Sequence, residues 1–141
     1  MRAVVSRVIE AAVLVDGKVV GALDGPGLLV LLGVTHDDGS SQAETMARKL
    51  HELRVLRDER SVADTGAGVL VVSQFTLYGS TRKGRRPSFT SAARPAQAEP
   101  LIEEVVARLR ARGVTVATGR FGATMAVHSI ADGPFTVLLE V

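Results

Sequence analysis

The stretch Val69-Leu-Val-Val-Ser-Gln-Phe-Thr-Leu-Tyr-Gly79 organises the chain. Its first four residues are apolar and mostly β-branched, the composition of a buried strand. At Ser73 the pattern turns polar, with Gln74 and Thr76 alternating against Phe75 and Leu77. A buried strand that ends in hydroxyls and an amide sets donors and acceptors, backbone N–H groups among them, on a rigid platform. Directly after it, Tyr78-Gly-Ser-Thr-Arg-Lys-Gly-Arg-Arg-Pro87 places Arg82, Lys83, Arg85 and Arg86 within five positions. The reading is a polar pocket floor with a basic lip.

Outward from this centre, alternating and continuous apolar runs mark strands over 2–9 and 11–15, over 18–23 after the Asp16-Gly17 hairpin turn, and over 28–34. Further strands are expected at 114–118, 126–130 and 135–141. Ser41 with Glu44 has the capping-box spacing, and a helix from there to about Arg57 presents Ala43, Met46, Ala47, Leu50, Leu53 and Leu56 on one face. A second helix carries Ala98, Leu101, Ile102, Val105, Val106 and Leu109, begins at Pro95 or at Glu99-Pro100, and stops at Gly113. The expectation is one α/β domain over residues 1–141, with seven or eight strands in two packed sheets or a barrel-like arrangement and two main helices. So few helices leave a sheet face bare unless a second sheet or a second subunit covers it.

Composition narrows the function. There are no cysteines, so disulfides and thiolate metal sites are excluded. The three histidines, His36, His51 and His128, have no ligand spacing, and neither a metal nor a cofactor is expected. No nucleophile elbow, phosphate loop or dinucleotide fingerprint occurs. The apolar run from Gly27 to Val34 is far short of the roughly 20 residues that span a bilayer, and Arg7 and Glu10 break any secretory segment. A soluble cytoplasmic protein is expected. Net charge is only +2, yet basic residues cluster at 82–86, which suits either a polyanion held at one edge or a solvated arginine-rich surface loop.

Two segments remain with chemical character: Ser73-Gln-Phe-Thr76, and Gly133-Pro134, a place for a tight turn or a cis bond. Each alone reads as structure before chemistry, the first as a strand end capping the next loop, the second as a turn. Ser73-Gln-Phe-Thr-Leu77 together with Asp132-Gly-Pro-Phe-Thr136 resembles the D-aminoacyl-tRNA deacylase family. The likeness extends over the chain through Ser6-Arg-Val8, Gly27 to Val34, Arg86-Pro-Ser-Phe89 and Thr118-Gly-Arg-Phe121 with Met125. Ala131, Phe135 and Ser6 depart from residues frequent in that family.

The resemblance implies a homodimer that cleaves D-aminoacyl and glycyl esters of tRNA and spares L-aminoacyl esters. It implies active sites at the subunit interface, with Ser73, Gln74, Phe75 and Thr76 forming the catalytic wall. Gly133 and Pro134 would reach in from the other subunit as a cis-peptide wedge against L side chains. Arg7 would hold that motif, Phe121 and Met125 would lie near the aminoacyl group, and Phe89 near the tip of the tRNA. Arg82, Lys83, Arg85 and Arg86 would meet its phosphates. Thr76 lacks any base to make it a nucleophile, so positioning with help from the ribose 2′-hydroxyl is the preferred chemistry. The competing reading is a noncatalytic RNA-binding dimeric module.

Overall fold

The structure, a computed structural model, describes residues 1–141. Its elements in chain order are β1 (Arg2–Val15), β2 (Lys18–Ala22), β3 (Gly27–Gly33), α1 (Ser40–Glu52), α2 (Val62–Thr65), β4 (Gly68–Ser73), α3 (Pro95–Ala111), β5 (Val116–Thr118) and β6 (Ala126–Glu140), with short 3-10 turns at Arg57–Glu59 and Phe75–Tyr78. One mixed, barrel-like sheet holds all six strands. β1 takes β3 along its first half and β2 along its second, both antiparallel, and β6 runs antiparallel along β1. β4 and β5 continue from β3 as parallel strands. The curl brings β2 round to β5, where a side chain at Gly21 would collide with the Thr118 carbonyl at 2.2 Å.

The alternation of side chains along β3 and β4 divides the apolar residues between two cores. Leu28, Val30, Leu32, Val69 and Val71 face α1 and α3, where they meet Met46, Leu50, Val105 and Leu109. Leu29, Leu70 and Val72 point into the curl and pack on Val8, Ala11 and Val13. Both faces of β3 and β4 are therefore buried, which is why their sequences are continuous apolar runs rather than alternating ones. Across the outer ends of α1 and α3, Arg108 bonds Glu104 at 2.9 Å and reaches Glu44, which Arg112 also engages.

The strand count is six, lower than the sequence suggests. The two runs before Asp16 are one 14-residue strand, and the two runs after Met125 are one 15-residue strand. The reason is a local irregularity on both. Ser6 pairs with Thr136 and Val8 with Ala131, so the four residues Asp132 to Phe135 oppose the single residue Arg7. A bulge lets the ladder resume beyond it, where a turn would have ended the strand. Gly133-Pro134 is accordingly an outward fold within β6, and its peptide bond is cis.

Two helix boundaries also differ. α1 begins at Ser40 with Gly39 as its cap, and Gln42 Oε1 accepts the Gly39 N–H at 3.0 Å; Ser41 lies inside the first turn. The helix ends at Glu52, so Leu53 and Leu56 pack on the core from an extended segment. The true capping box is Ser61 with Asp64, which opens the one-turn α2 within what reads as a polar loop. α3 starts at Pro95 and carries Pro100 within it.

Candidate functional site

β4 ends at Ser73 because the backbone leaves the sheet there. The Gln74 N–H still donates to the Leu32 carbonyl at 2.8 Å, and the chain then tightens into the 3-10 turn Phe75–Tyr78. The N–H groups of Phe75 and Thr76, in the first turn, have no acceptor in the chain. Beside them opens a cavity of about 560 Å³, with Ser73, Gln74 and Phe75 on its floor. Phe89, Phe121, Met125 and Val127 line it from the loops and β6, and Ala98 and Ile102 from α3. None of its 17 lining residues is ionisable.

Phe75 and Phe89 meet edge to face, with centroids 5.3 Å apart and planes at 69°. Gly79 makes this contact possible. A Cβ there would lie 2.8 Å from the Phe89 ring and 2.9 Å from the Thr76 carbonyl. Arg2 steadies the turn from below: its Nη1 donates to the Leu77 carbonyl at 2.8 Å, and its guanidinium lies 4.8 Å from the centre of the Tyr78 ring. Burial, with Asp38 nearby, pushes the Tyr78 hydroxyl up to about 12, against the opposing pull of Arg2. Arg82, Lys83, Arg85 and Arg86 are all exposed on the loop closed by the Ser80–Ser88 bridge, next to this platform.

The fold of β6 at Asp132 to Phe135 is held separately. Arg7 Nε donates to the Asp132 carbonyl at 3.1 Å, and its guanidinium covers the Phe135 ring at 4.9 Å. Arg57 pairs with the Asp132 carboxylate, and this bond, offset in part by desolvation, holds that carboxyl below its ordinary value.

The family description "D-Tyr-tRNA(Tyr) deacylase" matches residues 4–140. The chain belongs to this family. It is 62% identical over 140 residues to the D-aminoacyl-tRNA deacylase of Kineococcus radiotolerans, covering 99% of each chain. It is likewise 62% identical to that of Streptomyces coelicolor, over the full length of both. Among solved structures, a protein described as c-Myc DNA Unwinding Element Binding Protein superposes with a TM-score of 0.92 at 40% identity, over 100% of this chain and 99% of that one. A probable eukaryotic D-amino acid tRNA deacylase superposes at 0.88 with 18% identity, over 99% and 98%, and so shares the fold.

Within this deacylase-family chain, the cavity brings Ser73, Gln74, Phe75, Phe89, Phe121 and Met125 together. Thr76 is absent from its lining; exposed at the turn, its hydroxyl takes a hydrogen bond from the Gln74 amide. Arg7, Gly133 and Pro134 do not line the cavity either. Sequence reading missed Arg2, Arg57, Ala98 and Ile102. The last two were visible only as members of a helical stripe, and nothing local marks the two arginines.

Proposed function

We propose that this protein hydrolyses the ester of D-aminoacyl-tRNA, and of glycyl-tRNA, to free amino acid and tRNA, sparing L-aminoacyl esters. One observation carries the reading: the cavity at the end of β4 has no ionisable lining residue, yet Phe75, whose backbone N–H is unused, lines it, and the unused N–H of Thr76 follows along the same turn. Amide or phosphodiester cleavage asks for a general acid or base. An aminoacyl ester is already activated and asks mainly for orientation and for donors to its developing oxyanion. Water attacks the ester carbon, the N–H groups of Phe75 and Thr76 take the carbonyl oxygen's growing charge, and the ribose 3′-oxygen leaves with a proton. The 2′-hydroxyl beside it assists. Ser73 and Gln74 position the ester, and Phe121 and Met125 flank the aminoacyl group.

Phe75 and Phe89 offer a stacking platform for the terminal base. Arg82, Lys83, Arg85 and Arg86 continue it as a phosphate-binding rim. Gly133-Pro134 serves the cavity of a second copy, since it does not line its own. An apolar strip on the β1–β2–β6 ribbon supports such a homodimer: Ile9 is 49% exposed, Val19 61%, Ile130 46% and Leu138 59%. Val127 belongs both to this exposed ribbon and to the cavity wall, so a partner seated there borders the site. The outer edge of β6 pairs with no strand, another feature that a partner chain covers.

Two features favour a noncatalytic nucleic-acid-binding module as the second reading: the basic rim, and the DNA-binding description of the 40% identical solved protein. Deacylation of D-tyrosyl-, L-tyrosyl- and glycyl-tRNA separates the two. Release of the D and glycyl esters by wild type and Thr76→Ala alike supports the enzyme with a positioning threonine. Binding of tRNA with no ester cleaved supports the module. Sedimentation of wild type against Leu138→Arg tests the dimer; twice the 14.8 kDa chain mass is expected for the former only.

A further inference from the structure

Arg57 reaches Asp132 across 75 residues of sequence and grips it with both prongs of its guanidinium. Nε donates to Oδ2 at 3.1 Å, and Nη2 pairs with Oδ1. Asp132 thus meets two arginines, because Arg7 Nε also lies 3.3 Å from Oδ2. The two differ in place. The Arg7 side chain is 12% exposed, pressed against Gly133 and Phe135, whereas that of Arg57 is 67% exposed. Arg57 engages both carboxylate oxygens, while Arg7 Nε donates to the Asp132 carbonyl at 3.1 Å and its guanidinium covers Phe135.

The turn that delivers Arg57 is closed by two backbone bonds. The Leu56 N–H donates to the Arg60 carbonyl at 2.9 Å, and the Arg60 N–H returns to the Arg57 carbonyl at 3.3 Å. Between them, Asp58 at φ 58° and Glu59 at φ 53° are consecutive non-glycine residues in the left-handed region. None of Arg57 to Glu59 is buried, so no core packing accounts for that strained backbone. Its evident product is the direction in which Arg57 leaves the chain.

We infer that Arg57 is a positioning residue for the Asp132–Phe135 fold of β6, fixing where Gly133-Pro134 sits by taking the Asp132 carboxylate in a two-pronged bond. The inference rests on the editing reading above, in which that fold excludes L side chains. A lysine supplies the charge without the fork, so it replaces arginine poorly.

The test compares wild type, Arg57→Ala and Arg57→Lys on D- and L-tyrosyl-tRNA, together with the Gly133 amide resonance of 15N-labelled protein. Misplacement of a positioning group by about 1 Å costs up to roughly a hundred-fold in rate; for an exposed arginine backed by Arg7, a loss of about ten-fold on the D ester is expected, in kcat rather than KM. The D-over-L preference falls with it, the Gly133 resonance moves, and Arg57→Lys recovers only part of either. Wild-type selectivity or an unmoved Gly133 resonance in Arg57→Ala overturns the inference. Should wild type itself cleave neither ester, the editing reading fails and the catalytic consequence assigned to Arg57 falls with it. That failure is recognised from wild type alone.

Discussion

Replacing Gly79 by alanine tests the stacking platform with a single methyl group. Gly79 sits at φ −70°, which any residue adopts, so the substitution adds no backbone strain. Its Cβ would stand 2.8 Å from Phe89 Cε1 and 2.9 Å from the Thr76 carbonyl oxygen. Real Cβ atoms do not approach so closely: the ring must swing away, and the Thr76 carbonyl, which moving the ring does not relieve, must shift as well. The Phe89 ring is therefore displaced from its edge-to-face contact with Phe75, 5.3 Å away between centroids. Such a pair contributes about 0.5–1.5 kcal/mol beyond its buried area. If the substrate's terminal base needs the platform aligned, realigning it costs about that amount. At 1.36 kcal/mol per factor of ten, the lost contact raises KM for D-tyrosyl-tRNA about two- to thirteen-fold, and kcat falls as well because the Thr76 carbonyl belongs to the turn that carries the oxyanion donors. Phe89→Ala removes the ring outright and should raise KM by at least as much. Because both KM effects act through one contact, the double variant should resemble Phe89→Ala alone in KM. An unchanged KM in Gly79→Ala, or full additivity of the two, would refute the platform.

Removing Arg85 and Arg86 together should weaken tRNA binding at every salt concentration and lower the slope of log K against log salt by roughly 1.5, as two lost phosphate contacts require; an unchanged slope places the tRNA elsewhere. Stability should also fall in acid. Asp132, Glu44, Glu104 and Asp64 are each held below their ordinary values, chiefly by Arg57, by Arg112, by the Ser40 hydroxyl and by the Ser61 backbone N–H respectively. Carboxyls depressed in the folded state stabilise it above the ordinary carboxylate value near 4, and this is lost as pH drops through their folded values. The urea midpoint should therefore decline between about pH 5 and about pH 2, and less steeply in Asp132→Asn. Tyr78 has the opposite sign: raised to about 12, its contribution is complete below about 10 and disappears as pH climbs through the folded value. Tyr78→Phe should flatten the alkaline decline. A midpoint that stays level in acid contradicts the ion-pair assignments.

The cavity floor was legible because Val69 to Ser73 combines an apolar run with an abrupt polar end, and a buried strand leaves few other ways to satisfy those side chains. The central position of β3 could be read for the same reason. The continuity of β1 and β6 could not. Glycine and proline at 133 and 134 carry turn signals, and only the ladder with β1, closing again at Val8 and Ala131, shows that the strand continues past them. Likewise Leu53 and Leu56 keep helical spacing yet lie beyond α1, since packing on the core does not require a helix. Thr76 follows Ser73 in sequence but leaves the cavity because the 3-10 turn rotates it outward. Arg57 carries no signal at all, as its partner is 75 residues away and its aim depends on two left-handed residues of ordinary type.

Single-turnover hydrolysis of D-tyrosyl-tRNA beside L-tyrosyl-tRNA, with the protein in excess, decides whether this chain edits by chirality. The D ester is expected to disappear rapidly while the L ester decays at its uncatalysed rate. Equal rates for the two esters, or no release of either despite bound tRNA, would contradict editing by chirality.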